Sequence, residues 1–220
     1  MRLGPALCLV LLTLALPALA TPVRLPQPIP TPASLTPLVL NEILAGPARD
    51  WDGNGAFSSR DDEWVEVENL DVAPLDLSGW LITDGDQIPR YAFSGSLAPG
   101  ERRVIFGSDS YNWERANGEP AFGLSLSNSA DKVMLWKVTG ADTVLMDSYA
   151  YTSHEAAADR SIGRYPDGTG SWALFDGLDP YTGTLPPAGN GCVPTPGTAN
   201  VCGSTPVEHR SWGRIKTLYR

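Results

Sequence analysis

The chain is poor in the residues that most often carry chemistry. Its 220 residues include two histidines, His154 and His209, three cysteines and three methionines. No histidine or cysteine spacing of the kind that holds zinc occurs, and no serine is framed by glycines as a nucleophile. A triad can be drawn from His154 with Ser153 or Ser161 and a nearby aspartate, but nothing in the sequence brings them together. The many carboxylates fall in no glycosidase-like frame. These absences point to a protein that is not an enzyme, with His154 as a surface or capping residue. Basic charge is also scarce: Lys+Arg 16 against Asp+Glu 25 gives a formal net charge of −9. The deficit is concentrated in residues 21–207, with eleven basic and twenty-four acidic residues, a net of −13. Such a body repels nucleic acid and anionic lipid, and it attracts cations. Long apolar runs are missing too. The run from Leu7 to Leu16 is too short to span a bilayer comfortably and is followed by Pro17.

That short run has a different use. Arg2 precedes it, and Ala18-Leu19-Ala20 follows with small residues where a signal peptidase reads. Residues 1–20 are therefore expected to be a signal peptide cut before Thr21, which makes the protein secreted or bound at the cell surface. Cys8 leaves with the leader. Cys192 and Cys202 remain, and in an oxidising compartment an even pair predicts a disulfide around "VPTPGTANV". In the chain-entropy picture such a small ring contributes about 2–3 kcal/mol.

Residues 21–37, "TPVRLPQPIPTPASLTP", are rich in proline and read as an extended linker. From Leu38 the texture changes to short apolar or alternating runs bounded by turn residues. They are "LVLNEIL" (38–44), "EWVEVEN" (63–69), "GWLITDG" (79–85), "RRVIFGS" (102–108), "DKVMLWKV" (131–138) and "TVLMDSYAY" (143–151). "EWVEVEN" alternates cleanly and suits a strand with one face in water. Helical periodicity is nearly absent; "YTSHEAAADRSI" (151–162) is the stretch that could hold a helical turn. Many short strands at this spacing predict an all-β, immunoglobulin-like antiparallel β-sandwich over residues 38–202.

Several of these runs occur in a recognisable series. "LVLNEIL", an acidic loop, "DEWVEVENLDVAPLDLSGWLITDG", "LAPGERRVIF", "SADKVMLW" and "PTPGTAN" follow one another over about residues 38–200. The series resembles the bacterial lamin-tail domain, a secreted relative of the globular domain of nuclear lamins. "NEIL", "DLSGW" and "PTPGTAN" carry the resemblance most specifically. It implies an immunoglobulin-like sandwich used for attachment or interaction, with no active site of its own, and it leaves the partner open: a protein or another cell-surface component. The nuclear relatives contact chromatin, but their basic surface is not reproduced here.

The acidic loop, "DWDGNGAFSSRDDEW" (50–64), holds five carboxylates separated by glycines. It fits a twelve-residue calcium pattern. Asp50, Asp52 and Asn54 take the first three alternate positions, Gly55 the sharp turn, Ala56 the carbonyl position, Ser58 the ninth and Asp61 the last. A hard cation wants six or seven oxygens at short range, so alternate side chains must point inward while the backbone curls around them. Glycine readily takes the positive φ of that curl. The pattern resembles the calcium loop of dockerins, which close on Asp; Asp62 or Glu63 can substitute for Asp61, and Phe57 is placed to anchor the loop. The continuation into "DDEWVEVEN" reads as a strand where an EF-hand has a helix. The expectation is a structural Ca2+ site ordering the connection between the first two strands.

Two further sets of residues bear on binding. Trp64, Trp80 and Trp136 lie in strand-like runs and are expected in the core, whereas Trp113 and Trp172 sit in polar stretches. With Trp51 and Trp136 they are the candidate flat platforms for sugar rings, the basis of an alternative reading as a carbohydrate-binding sandwich. The basic tail, 203–220, would group Trp212, Ile215, Leu218 and Tyr219 on one face if helical, with Arg210, Arg214, Lys216 and Arg220 elsewhere. So short a segment orders only on contact, and a protein receptor suits Trp212, Arg214, Ile215, Lys216, Tyr219 and Arg220 better than a membrane does.

Overall fold

The computed structural model describes residues 36–202. The leader, all but the last two residues of the proline-rich linker and the basic tail lie outside the described residues. Eleven strands and one helix follow in order: β1 (Leu38–Leu44), β2 (Trp64–Asn69), β3 (Leu75–Asp76), β4 (Trp80–Thr83), β5 (Pro89–Ala92), β6 (Ser96–Leu97), β7 (Arg102–Phe106), α1 (Gly107–Asn117), β8 (Ala130–Thr139), β9 (Asp142–Thr152), β10 (Ser161–Tyr165) and β11 (Ser171–Phe175). A five-stranded sheet runs β11-β10-β1-β2-β7 and a four-stranded sheet runs β5-β4-β8-β9, with β3-β6 as a small third pair. The strand pairings are antiparallel. The expected all-β, immunoglobulin-like sandwich is the fold.

The core lies between the two larger sheets. Leu38, Leu40, Ile43, Val65, Val67, Ile105 and Ile162 project from one, and Trp80, Ile82, Val133, Leu135 and Tyr151 from the other. Residues two apart share a face of a strand, so Leu81, Met134 and Trp136 gather in a second buried cluster on the opposite face of the four-stranded sheet. Trp64, Trp80 and Trp136 are fully buried, as their strand-like runs implied.

The motif "NEIL" depends on a β-bulge. Leu40 pairs with Val67 and Glu42 with Glu66, leaving Asn41 as the extra residue. The bulge allows both Leu40 and Ile43 to face the core while the polar pair between them is displaced to the other side. In "DLSGW", the Asp76 carboxylate accepts the Ser78 amide and hydroxyl. Gly79 then turns at φ +75, where a Cβ would stand 2.5 Å from the Val138 carbonyl oxygen, and Trp80 drops into the core.

The structure departs from the sequence reading in three places. The "EWVEVEN" strand has no wet face, because every residue from Trp64 to Asn69 is buried. Its carboxylates lie under a later segment of the chain, which period-two alternation cannot reveal. A helix the sequence did not announce, α1, begins where "RRVIFGS" leaves its strand at Phe106, while 151–162 ends β9, makes a turn in which the Ala156 amide donates to the Thr152 carbonyl, and enters β10. Gly107, the first residue of α1, has no room for a Cβ, which would meet the Arg60 carbonyl oxygen. Asp109 accepts the Phe106 N–H at its start, and Gly118 closes its end at φ 73. The strands β10 and β11, unannounced by a strong apolar run, complete the larger sheet, with β10 on the free edge of β1.

Candidate functional site

The loop between β1 and β2 brings three carboxylates together. One oxygen from each of Asp50, Asp52 and Asp62 lies within 4.8 Å of the others. The backbone curls as glycine-rich spacing requires, with Gly53 at φ 72 and Gly55 at φ 91. Asp50 accepts the Asn54 and Gly55 amides at 3.2 and 2.8 Å. Asp52 accepts the Asn54 amide at 3.0 Å and its side-chain N–H at 2.9 Å. The Asn54 side-chain oxygen, Oδ1, accepts the Ala56 amide. Desolvation raises the Asp52 carboxyl, but the hydrogen bonds it receives from Ser108 and Asn54 together outweigh it and hold the group below the ordinary aspartate value.

The far end of the loop differs from the expected spacing. Asp62, fully buried, joins Asp50 and Asp52, and Asp61 does not. Asp62 Oδ1 accepts the Trp51 and Asp52 amides at 2.6 and 3.0 Å, while Oδ2 accepts the Ser58 amide at 2.7 Å. Ser58 turns its hydroxyl toward the Arg60 and Asp61 amides. Phe57 is not the anchor; it is 54% exposed. Trp51 anchors the loop instead. Its ring meets Trp64 edge-on at 6.1 Å, its Nε1–H donates to Asp159 at 2.8 Å, and the Arg49 guanidinium lies over it. The oxygens of Asp50, Asp52 and Asn54 are hard donors with lone pairs left over, the chemistry calcium takes.

A second polar site went unrecognised in the sequence. Glu42 and Glu66 are cross-strand partners on the outer face of the larger sheet, both 0% exposed. Desolvation pushes Glu42 up to about 8 against hydrogen bonds from Ser161 and Thr195, with the nearby Glu66 adding to the rise. Burial likewise pushes Glu66 up to about 7, against hydrogen bonds from Asn41 and Gly197. Their cover is the strap 192–202. Thr195 donates its amide and hydroxyl to Glu42, Gly197 donates its amide to Glu66 at 2.6 Å, and Asn200 donates to Asp167 and to the Arg164 carbonyl. Asn41, the bulged residue, donates to Glu66 and Asp167 and accepts the Gly168 amide. Arg102 closes the cluster with Glu68 at 3.2 Å and Asp167 at 2.9 Å. The predicted disulfide is present: Cys192 is bonded to Cys202, stapling the strap. "NEIL" and "PTPGTAN" are therefore two halves of one contact.

The two tryptophan platforms are not brought together. Trp113 lies on α1, half-buried, with its ring 6.4 Å from Tyr91. Trp172 lies on β11, half-buried, 4.2 Å from the Tyr149 ring and 4.9 Å from the Arg164 guanidinium, so its faces are largely taken. His154 shares a hydrogen bond with Thr152 and stacks on Tyr181, a local structural role. Among the described residues no helix is long and apolar enough to cross a membrane.

No curated relative matches the chain. A family model, Lamin Tail Domain, matches residues 31–153, which takes in β1 to β9 and the acidic loop, and leaves β10, β11 and the strap beyond its end. The family is one of non-enzymatic, immunoglobulin-like interaction domains. With more than half of its length matched and the sandwich in place, the chain belongs to the lamin tail domain family.

Proposed function

We propose that this protein is a secreted or surface-bound attachment module that binds a protein or other cell-surface component, with Ca2+ held structurally in the loop 50–62. The observation that carries the calcium reading is the convergence of Asp50, Asp52 and Asp62 on a loop whose backbone is already curled around them. Asp50, Asp52, Asn54 and the Ala56 carbonyl supply donors, and Asp62 replaces Asp61 as the closing carboxylate. Bound calcium offsets the mutual repulsion of these groups. Extracellular modules work with dissociation constants of about 10⁻⁴–10⁻³ M, and at ten times that constant binding adds about 1.4 kcal/mol to stability. Export is supported by the leader-like residues 1–20 and agrees with the Cys192–Cys202 bond.

The test is a binding screen of the mature protein against surface proteins and polysaccharides, run with calcium and with chelator. The attachment reading expects a saturable protein or surface partner, weakened by chelator and by the double substitution Asp50→Ala, Asp52→Ala. Trp113→Ala and Trp172→Ala are expected to bind as the parent does. A polysaccharide ligand lost in those two tryptophan variants would instead select the carbohydrate reading.

A further inference from the structure

At one end of the sandwich, where β4 finishes and β8 begins, a cavity of about 300 Å3 opens between Asp84, Gly85, Asp86, Ser125, Ser127 and Asp131. Its walls are acceptors held in place by the backbone. Asp131 Oδ1 accepts the Gly85 amide at 3.1 Å and the Lys132 amide at 2.7 Å, and Oδ2 accepts the Ser127 amide at 3.0 Å. Asp84 accepts the Asp86 amide on one oxygen and Arg90 on the other. Behind Ser125 and Ser127 lies Glu63, 3% exposed, whose Oε2 accepts the intervening Leu126 amide.

A buried group beside Asp131 lacks a partner. Tyr151 is the cross-strand neighbour of Asp131, so the two side chains lie on one face of the sheet. It is 2% exposed, and its hydroxyl makes no hydrogen bond. Burial, followed by the charges of Asp131, Glu63 and Asp84, drives its phenol far above the ordinary value. Of the nearby cations, Arg90 is committed to Asp84 and Glu114, and Arg60 is exposed at the surface. Lys132 alternates to the other face of β8.

The shape of this acceptor set decides what it suits. Among the described residues, the group whose ligand atoms close to within 4.8 Å of one another is Asp50–Asp52–Asp62; the cavity's Asp84, Asp86 and Asp131 do not close to that spacing. A flat guanidinium, with five N–H donors in a fixed fork, spans such a spread, and an ammonium on a long stem reaches it. The volume equals that of roughly ten waters at about 30 Å3 each, enough for a side chain and not merely a bridging water. We propose that this cavity receives a basic side chain, arginine in preference to lysine, presented by a partner polypeptide. The idea rests on the attachment reading and names the chemistry of the contact.

The test is a titration of the full chain, followed through its backbone amides by NMR at constant ionic strength, with Nα-acetylarginine methylamide as the probe. Its neutral citrulline counterpart is the control, and 1,4-diaminobutane stands for a free amine. Saturable shifts at Gly85 and Ser127 are expected with the arginine probe and not with the citrulline one. Asp86→Asn and Tyr151→Phe are expected to weaken binding about tenfold without lowering the melting temperature. Asp86 makes no side-chain hydrogen bond, and phenylalanine keeps the core packing, so neither variant should unfold the protein. Equal shifts with citrulline, unsaturable shifts, or unchanged affinity in both variants would overturn the proposal. Tighter binding of diaminobutane than of the capped arginine would overturn the polypeptide source. The titration reads this cavity alone, so its failure leaves the attachment reading to its own screen.

Discussion

Glu42 shows how a residue written as surface charge works as a buried acid. It sits opposite Glu66, and two ionised carboxylates in that arrangement would repel strongly. Burial keeps the proton on instead, and Glu42 rises to about 8. The unfolded chain releases that proton near 4.5, so between the two values the folded state holds more protons than the unfolded one. Stability from this group is therefore fully present below about pH 4.5 and is lost as pH rises toward 8. Glu66 and Glu63, raised to about 7 and about 8, slope the same way. Around Glu42 stand Ser161, Thr195, Glu66, and beyond it Arg102 and Asp167. Denaturation midpoints measured from pH 5 to pH 8 are expected to fall, and Glu42→Gln is expected to flatten part of that fall. A variant as pH-sensitive as the parent would show that Glu42 titrates normally.

At the scale of the element, the strap 192–202 decides whether the polar face of the larger sheet is tolerable. Thr195→Val removes the hydroxyl shared by Glu42 and Asn200, leaving buried acceptors short of a donor. The cost is expected to be about 1–3 kcal/mol by chemical denaturation. Replacing Cys192 and Cys202 by serine is expected to cost about 2–3 kcal/mol, the chain-entropy value for a small ring; no loss in either variant would mean that the strap lies loosely on the sheet. The sequence announced strands by their own apolar residues, which is why β1, β4, β8 and β9 were legible nearly to the residue. β2 was legible as a strand and not as a buried one, because the strap residue that meets Glu66, Gly197, lies more than a hundred positions away. α1 was hidden for another reason: "GSDSYNWERAN" buries Gly107, Ser110 and Glu114, so its inward face is polar and gives no apolar period. Its signals were Asp109 in the first turn and Gly118 at the end. In the acidic loop the spacing pointed to Asp50, Asp52 and Asp61, but the chain enters β2 and not a helix, and Asp62, in the turn before β2, stands beside Asp50 and Asp52. The partner of Asp50 and Asp52 became Asp62, the aspartate that the buried end of the loop needs to cap its amides.

For the whole molecule, the sandwich extends beyond the family match. β10 lies against β1 at the middle of the larger sheet, and β11 lies outside it. A chain ending at residue 153 keeps every matched residue but strips β1 of one neighbour and exposes Glu42. It is expected to lack the cooperative melt and dispersed amide spectrum of a chain ending at 202; equal folding would make β10, β11 and the strap an appendage. The proposed calcium site lies in the β1–β2 connection, where Trp51 and Asp62 hold the loop to the sandwich. The most direct measurement is therefore the melting temperature of the mature protein in calcium and in EDTA, beside the Asp50→Ala, Asp52→Ala variant. The calcium-ordered module predicts a higher melting temperature in calcium, reversal by chelator, and no response in the variant. Superimposable melting curves for the parent protein in calcium and in EDTA would contradict it.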